Sequence, residues 1–250
     1  MRLRRWLCTA FGCAAFSPHL HGAEVVEHEG ARYHLFRVSP ADCSKLQLAW
    51  LGADGKPLID FNGLKRDLAA KGQKITFATN AGIYERGPKP CGLTICGGRE
   101  LVPLNLQPGE GNFYLKPNGV FFLDDKSGAG VMEAAEFGKS GLNPRLATQS
   151  GPLLLRKGVI HPAFNLNSPN KRLRNAVGVR SDGQIVFVMS DREDRTRGRV
   201  TFHQLSRFFL HLGCQDALFL DGDISTMLIK PPADAAFTPN TFAAMFYIAE

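Results

Sequence analysis

The stretch TFHQLSRFFLHLGCQDALFLDGDIST, residues 201–226, holds a complete helix–turn–strand unit that ends in a cluster of polar side chains. Thr201 belongs to the residue types that cap a helix N-terminus, and Gln204 stands at the reciprocal position of a capping box. Leu205, Phe208, Phe209 and Leu212 recur at i, i+3, i+4 and i+7, which gives the helix one apolar face. Gly213 stops it. Residues 217–220 then read as a short apolar strand that runs directly into Asp221. The aromatic helix face is core and needs no cofactor to explain it.

Strand character recurs at 32–38, 46–51, 74–79, 119–123, 153–155, 176–179 and 184–189. Ser181-Asp182-Gly183 makes a tight hairpin turn between the last two, and Lys157-Gly158 turns 153–155 toward Val159-Ile160. A second helix spans 63–71, with Gly72 as its stop. Strands outnumber helices and many are joined by hairpins. The fold class is therefore α+β, with a mixed, mainly antiparallel β-sheet core and a few packed helices. The 26 glycines and 15 prolines, spread along the chain, agree with short strands and many turns rather than a bundle.

Arg2, Arg4 and Arg5 followed by the uncharged run 6–16 and by Gly22-Ala23 read as an export signal, too short to span a bilayer. The chain divides into a signal peptide, 1–23, and one domain, 24–250, with no transmembrane segment once the signal is removed. The expected location is periplasmic or secreted. Gly12-Cys13 and Arg4-Arg5 leave a lipid-anchored or twin-arginine variant open. Without the signal the formal charge falls from +7 to +4, mild enough for an anionic small substrate. No basic helix or aromatic–basic repeat is present, which argues against nucleic acid. Cys43, Cys91, Cys96 and Cys214 remain, an even number that in an oxidising compartment permits one or two disulfides, with Cys91–Cys96 the favoured clasp.

Polar residues collect where apolar strands stop or start: Asn80-Ala81-Gly82, Gln149-Ser150-Gly151-Pro152, Arg174-Asn175, and Asp221-Gly222-Asp223-Ile224-Ser225-Thr226. Groups on strand ends sit on a rigid frame yet face solvent. In order and spacing these blocks resemble the phosphodiester glycosidase family. Thr79-Asn80-Ala81-Gly82-Ile83-Tyr84 is similar to its Asn-Gly-Gly-aromatic segment. The blocks 149–154 and 174–179 resemble its Ser-Gly-Pro-Leu-Leu and Arg-x-Ala-x-Gly elements, and the unit from Thr201 to Gly222 its closing segment. The family commonly continues Leu-Asp-Gly-Gly-Gly-Ser. Here Asp223 and Ile224 replace two glycines, which resembles a bacterial exported subgroup and puts the N-acetylglucosamine specificity of the uncovering enzyme in question.

The resemblance implies a hydrolase that cleaves a sugar from a glycosyl-1-phosphodiester, either a small molecule or a glycan. Such a substrate is anionic, so an arginine should orient it, and Arg174 is the first candidate. Cleavage at the anomeric carbon passes through an oxocarbenium-like state that needs a carboxylate, for which Asp221 is first and Asp223 second. A phosphodiester leaves readily as an anion, so a strong general acid is not required. Asn80 and Ser150, with Gly82, Gly151 and Gly222 beside them, could meet sugar or phosphate, and Thr201 offers an anion-friendly helix start. Asp191 is a reserve acid. No cofactor is expected, and a divalent cation between Asp221 and Asp223 is the alternative to a metal-free site, since the calcium-loop pattern fails at Thr226 and Pro232. Two rival functions stand beside the glycosidase: a phosphodiesterase cutting P–O, and a non-catalytic binder of envelope glycans or anionic polymers. Oligomeric state is not legible.

Overall fold

The computed structural model describes residues 24–237 and 240–250, so the signal peptide expected at 1–23 lies outside the described residues. The strands form three main sheets, and every pairing among the described residues is antiparallel. The largest is seven-stranded, in the order β1 (Glu24–His28), β2 (Ala31–Val38), β15 (Ile185–Ser190), β14 (Asn175–Arg180), β16 (Cys214–Asp221), β12 (Leu153–Arg156), β13 (Val159–Ile160). A five-stranded sheet runs β10 (Gly128–Glu133), β9 (Gly119–Asp124), β11 (Leu146–Ser150), β7 (Thr94–Cys96), β8 (Arg99–Val102). A four-stranded sheet runs β17 (Met227–Ile229), β4 (Ile75–Asn80), β18 (Met245–Ala249), β3 (Gln47–Ala49). A small hairpin, β5 (Tyr84–Glu85) and β6 (Lys89–Pro90), completes the set. The α+β class expected from the sequence is the observed one.

The seven-stranded sheet is the central layer, and the period-2 alternation of its strands sorts side chains to two cores. Ala217 and Phe219 of β16, Ala176 of β14, and Val186 and Val188 of β15 pack outward against helix α3 (Phe202–His211). Leu218, Leu220, Val177, Ile185 and Phe187 face inward, against Phe77, Phe121 and Phe246 of the other two sheets. Thr201 caps α3 as its sequence predicts, accepting from the Gln204 N–H at 3.1 Å while Gln204 Oε1 accepts from the Thr201 N–H at 3.0 Å. Leu205, Phe208 and Phe209 are fully buried, each stabilising the fold by about 2 kcal/mol on area grounds. Gly178 of β14 lets α3 come this close, because a Cβ there would lie 2.7 Å from the Phe209 ring.

Helix α1 (Phe61–Ala69) starts two residues before the expected 63; it is capped by Asp60, whose carboxylate accepts from the Gly63 N–H at 2.7 Å. The short helix α2 (Ala134–Phe137) caps the five-stranded sheet, burying Ala134 and Phe137. Among the described residues no helix is long and apolar enough to cross a membrane. One expectation is corrected: Cys43, Cys91, Cys96 and Cys214 are all free thiols, and Cys91 and Cys96 do not form a clasp. Cys91 lies in the loop before β7 and Cys96 at the far end of that strand. Burial pushes the Cys96 and Cys214 thiols up to about 12, as expected of inert core cysteines.

Candidate active site

The polar ends of β4, β11, β14 and β16 meet at one rim of the layered sheets. Ser150 closes β11, instead of opening β12 as its apolar neighbours suggest, and is fully buried. Its hydroxyl donates to the Leu220 carbonyl at 2.9 Å and accepts from the Ile83 N–H at 3.2 Å, so it ties the Asp221 strand end to the loop after β4. Gly82 rests on the same strand end. A Cβ there would sit 2.6 Å from the Gln149 carbonyl oxygen, so the approach requires glycine. Gly151 is equally closed in, with room for a Cβ blocked by Asn118 at 2.7 Å and the Phe113 carbonyl oxygen at 2.9 Å. Ser150, Gly82 and Gly151 thus build the floor of the site.

Asn80 is 2 % exposed and its side chain is fully engaged. Nδ2 donates to Ser225 Oγ at 3.1 Å, while Oδ1 accepts from the Thr226 N–H at 3.2 Å and from Asn175 Nδ2 at 3.3 Å. It therefore fixes the turn 222–226 from below and is not free to hold a substrate. Asn175, in a strand-end polar block of the sequence but without an assigned role there, donates also to Thr79 Oγ1 and to the Asn80 carbonyl, both at 3.0 Å. Arg192, which reads in sequence as part of a solvated loop, clamps the turn from the other side. Its Nη2 donates to the Ser225 carbonyl at 2.6 Å and to the Asp223 carbonyl at 3.1 Å.

Asp221 owes its aim to an irregularity. Asn175 pairs with Asp221 but Ala176 pairs with Phe219, so Leu220 is the extra residue of a β-bulge. Strict alternation after the inward Leu218 and Leu220 would send Asp221 toward α3; the bulge sets it opposite the inward-facing Asn175. Its Oδ1 accepts from the Gly222 N–H at 2.7 Å. Loss of water around the carboxyl pushes its pKa up to about 6; the Gly222 N–H opposes this and the Asp223 charge adds to it. The same negative charge reaches Tyr84 and Cys91, raising both, after burial as the main cause. Tyr84 is held by a 2.5 Å hydrogen bond from its hydroxyl to the Thr241 carbonyl. The aromatic at 84 is legible in the family-like segment; Cys91 gave no signal.

The other expected residues lie around this centre. Asp223 is exposed, and its Oδ1 accepts from the Leu173 N–H at 3.3 Å. Arg174 points to the opposite face from Asn175. Its guanidinium stacks 3.6 Å from the Phe202 ring centre, with Nε on the Val200 carbonyl (2.9 Å) and Nη2 on the Asn170 carbonyl (3.1 Å). Burial lowers its pKa to about 10, which Asp223 partly offsets, and among the described residues Nη1 has no hydrogen-bond partner. Thr201 faces a different cavity of about 530 Å³, with Glu29, His203 and Arg207, and its hydroxyl is occupied as the α3 cap. Asp191, 3 % exposed, turns to Arg32 Nε (3.2 Å) and His34 Nε2 (3.3 Å) on the far side of the turn and lines a cavity of about 330 Å³ with Thr226 and Met227. Among the described residues no third His, Cys, Asp or Glu joins Asp221 and Asp223 in an ion-sized cluster.

Residues 73–248 match the family model described as phosphodiester glycosidase, and the chain belongs to that family. It is 34% identical over 197 residues to the uncharacterized protein YigE of Escherichia coli strain K12, covering 78% of this chain and 73% of that protein. Its fold is similar to the zebrafish N-acetylglucosamine-1-phosphodiester alpha-N-acetylglucosaminidase catalytic domain, solved as auto-inhibited by its pro-peptide. That likeness has a TM-score of 0.63 at 17% identity and covers 94% of this chain and 84% of the other. A hypothetical protein from Synechocystis shares the fold at a TM-score of 0.52 and 14% identity, over 91% of this chain and 61% of that one.

Proposed function

We propose that the protein is an exported hydrolase, periplasmic, secreted or lipid-anchored, that removes a sugar from a glycosyl-1-phosphodiester, with Asp221 as its reactive carboxyl. The observation that carries this reading is the bulged end of β16, which sets a crowded, proton-retaining carboxyl at the rim where the family-like segments meet. In the reaction, water adds to the anomeric carbon as the bond from that carbon to the phosphate oxygen breaks. The phosphate departs as a monoester, and the proton lost by water balances the one gained by the products. Asp221 supplies the carboxyl that can serve the departing oxygen, and Asp223 the second carboxyl that can meet the oxocarbenium-like state. Asp223, exposed two residues on, is the second carboxyl facing solvent. Arg174, buried on the opposite face from Asn175, lends positive charge toward Asp223 rather than a direct phosphate contact, whereas Asn80 acts through the turn it fixes. The test is release of free sugar from a panel of sugar-1-phosphodiesters, nucleotide sugars included. Turnover by the native protein that disappears in Asp221→Asn supports the assignment, and turnover retained in that variant overturns it.

A further inference from the structure

One atom in the buried polar layer beneath Asp221 has no partner. Asn175 is fully buried, and its Nδ2 faces three acceptors: Thr79 Oγ1 at 3.0 Å, the Asn80 carbonyl at 3.0 Å and Asn80 Oδ1 at 3.3 Å. Those acceptors fix the amide's orientation, because the flipped form would press Oδ1 against three oxygens. The side-chain oxygen Oδ1 is buried and, among the described residues, accepts no hydrogen bond. A buried carbonyl left in that condition costs about 1–3 kcal/mol, so a donor should reach it in the working protein.

The register limits what that donor can be. The cross-strand neighbours of Asn175 are Met189 on β15 and Asp221 on β16. Paired residues share a face with Cβ atoms about 5 Å apart, within reach of two short side chains. Met189 has nothing to donate. A substrate hydroxyl cannot reach a side chain with no exposure. Asp221 can donate when protonated: its Oδ1 is taken by the Gly222 N–H at 2.7 Å, which leaves Oδ2 to carry the proton. The other titratable groups around Asp221 are Asp223 on the same turn, Tyr84 on β5 and Cys91, none of which serves Asn175.

Resting on Asp221 as the reactive carboxyl, we propose that Asn175 is a positioning residue whose side-chain oxygen accepts a hydrogen bond from protonated Asp221. It thereby holds that carboxyl in the acid form that can pass its proton to the departing phosphate oxygen. The proton leaves Asp221 Oδ2 for the phosphate oxygen as that oxygen's bond to the anomeric carbon breaks, water takes its place on the carbon, and the proton water gives up restores the acid form of Asp221.

The experiment is a carbon-13 NMR titration of the Asp221 carboxyl in the purified protein, assigned by its disappearance in Asp221→Asn. Two variants bracket the claim. Asn175→Leu removes the acceptor at similar volume and should lower the Asp221 midpoint by roughly half a unit to one unit. Asn175→Asp keeps an oxygen there but adds a second acid, and should raise the midpoint by about one unit or more, since close carboxylates share a proton. Circular dichroism and melting temperature establish that each is folded. Should Asn175→Leu fail to fold, the Asn175→Asp titration decides. Shifts in these opposite directions support the proposal; an unmoved midpoint in a folded variant, or a rise with leucine, overturns it. The readout needs no turnover, so a silent substrate panel would count against the proposed function and not against this contact.

Discussion

Replacing Asp221 with asparagine should stabilise the protein, and the gain should depend on pH in a calculable way. The carboxyl titrates at about 6 in the fold, against about 4 in an unfolded chain. The folded state holds this proton more tightly, so the stability it contributes is fully present below about pH 4 and is lost as pH rises through about 6. Integrated between these values, the loss is about 0.5 kcal/mol near pH 4 and about 3 kcal/mol near pH 7.5. Asparagine has no proton to lose and keeps an oxygen for the Gly222 N–H now bonded at 2.7 Å. Asp221→Asn should therefore exceed the native protein by about 3 kcal/mol near pH 7.5, or roughly 6 °C in melting temperature for a chain of this size. Near pH 4 the two should nearly coincide. Urea unfolding of both proteins at the two pH values measures the difference directly, and the other carboxylates cancel because both chains carry them. An advantage equal at both pH values, or a native protein more stable near pH 7.5, would refute the reasoning that Asp221 is held against its own ionisation.

Three further outcomes are expected. Asn80→Ala strips the Ser225 hydroxyl and the Thr226 N–H of their buried partner and should cost about 2–3 kcal/mol in urea unfolding. Thr201→Ala should cost about 1 kcal/mol, the worth of a helix cap; a much larger loss of substrate affinity than of stability would instead make Thr201 a ligand-binding residue. Alkylation of the unfolded, unreduced protein, followed by mass spectrometry, should find Cys43, Cys91, Cys96 and Cys214 all modified; protection of Cys91 with Cys96 would restore the clasp.

The capped helix, its aromatic face and the strand running into Asp221 were legible because local chemistry and packing agree there: Thr201, Gln204, Gly213 and the spacing of Leu205, Phe208 and Phe209 all point the same way. Strand β11 was not, since Thr148, Gln149 and Ser150 are buried polar residues that look like loop. Their burial depends on partners distant in sequence: the Gln149 amide oxygen accepts from the Leu93 and Asn105 N–H groups, and Ser150 bonds Leu220 and Ile83. Short edge strands such as β17 carry too few residues to show a period. At the site, the positions of Asn80, Ser150, Gly82 and Asp221 were readable, but what their side chains do was not. The bulge that turns Asp221 inward is a property of pairing, invisible in one strand. Arg174 was partly deducible: it adjoins Asn175 in an extended chain, so the two must face opposite ways, and with Val177 inward Arg174 must turn outward to Phe202. Arg192 lies in a charged loop, and only the fold shows that it holds the 222–226 turn.

The central claim, cleavage at the anomeric carbon by an Asp221-dependent hydrolase, is tested most directly by one reaction in heavy-oxygen water with a sugar-1-phosphodiester that the protein turns over. The account predicts the label in the released sugar and none in the phosphate, with turnover abolished by Asp221→Asn. Label in the phosphate, or turnover that survives Asp221→Asn, would contradict it.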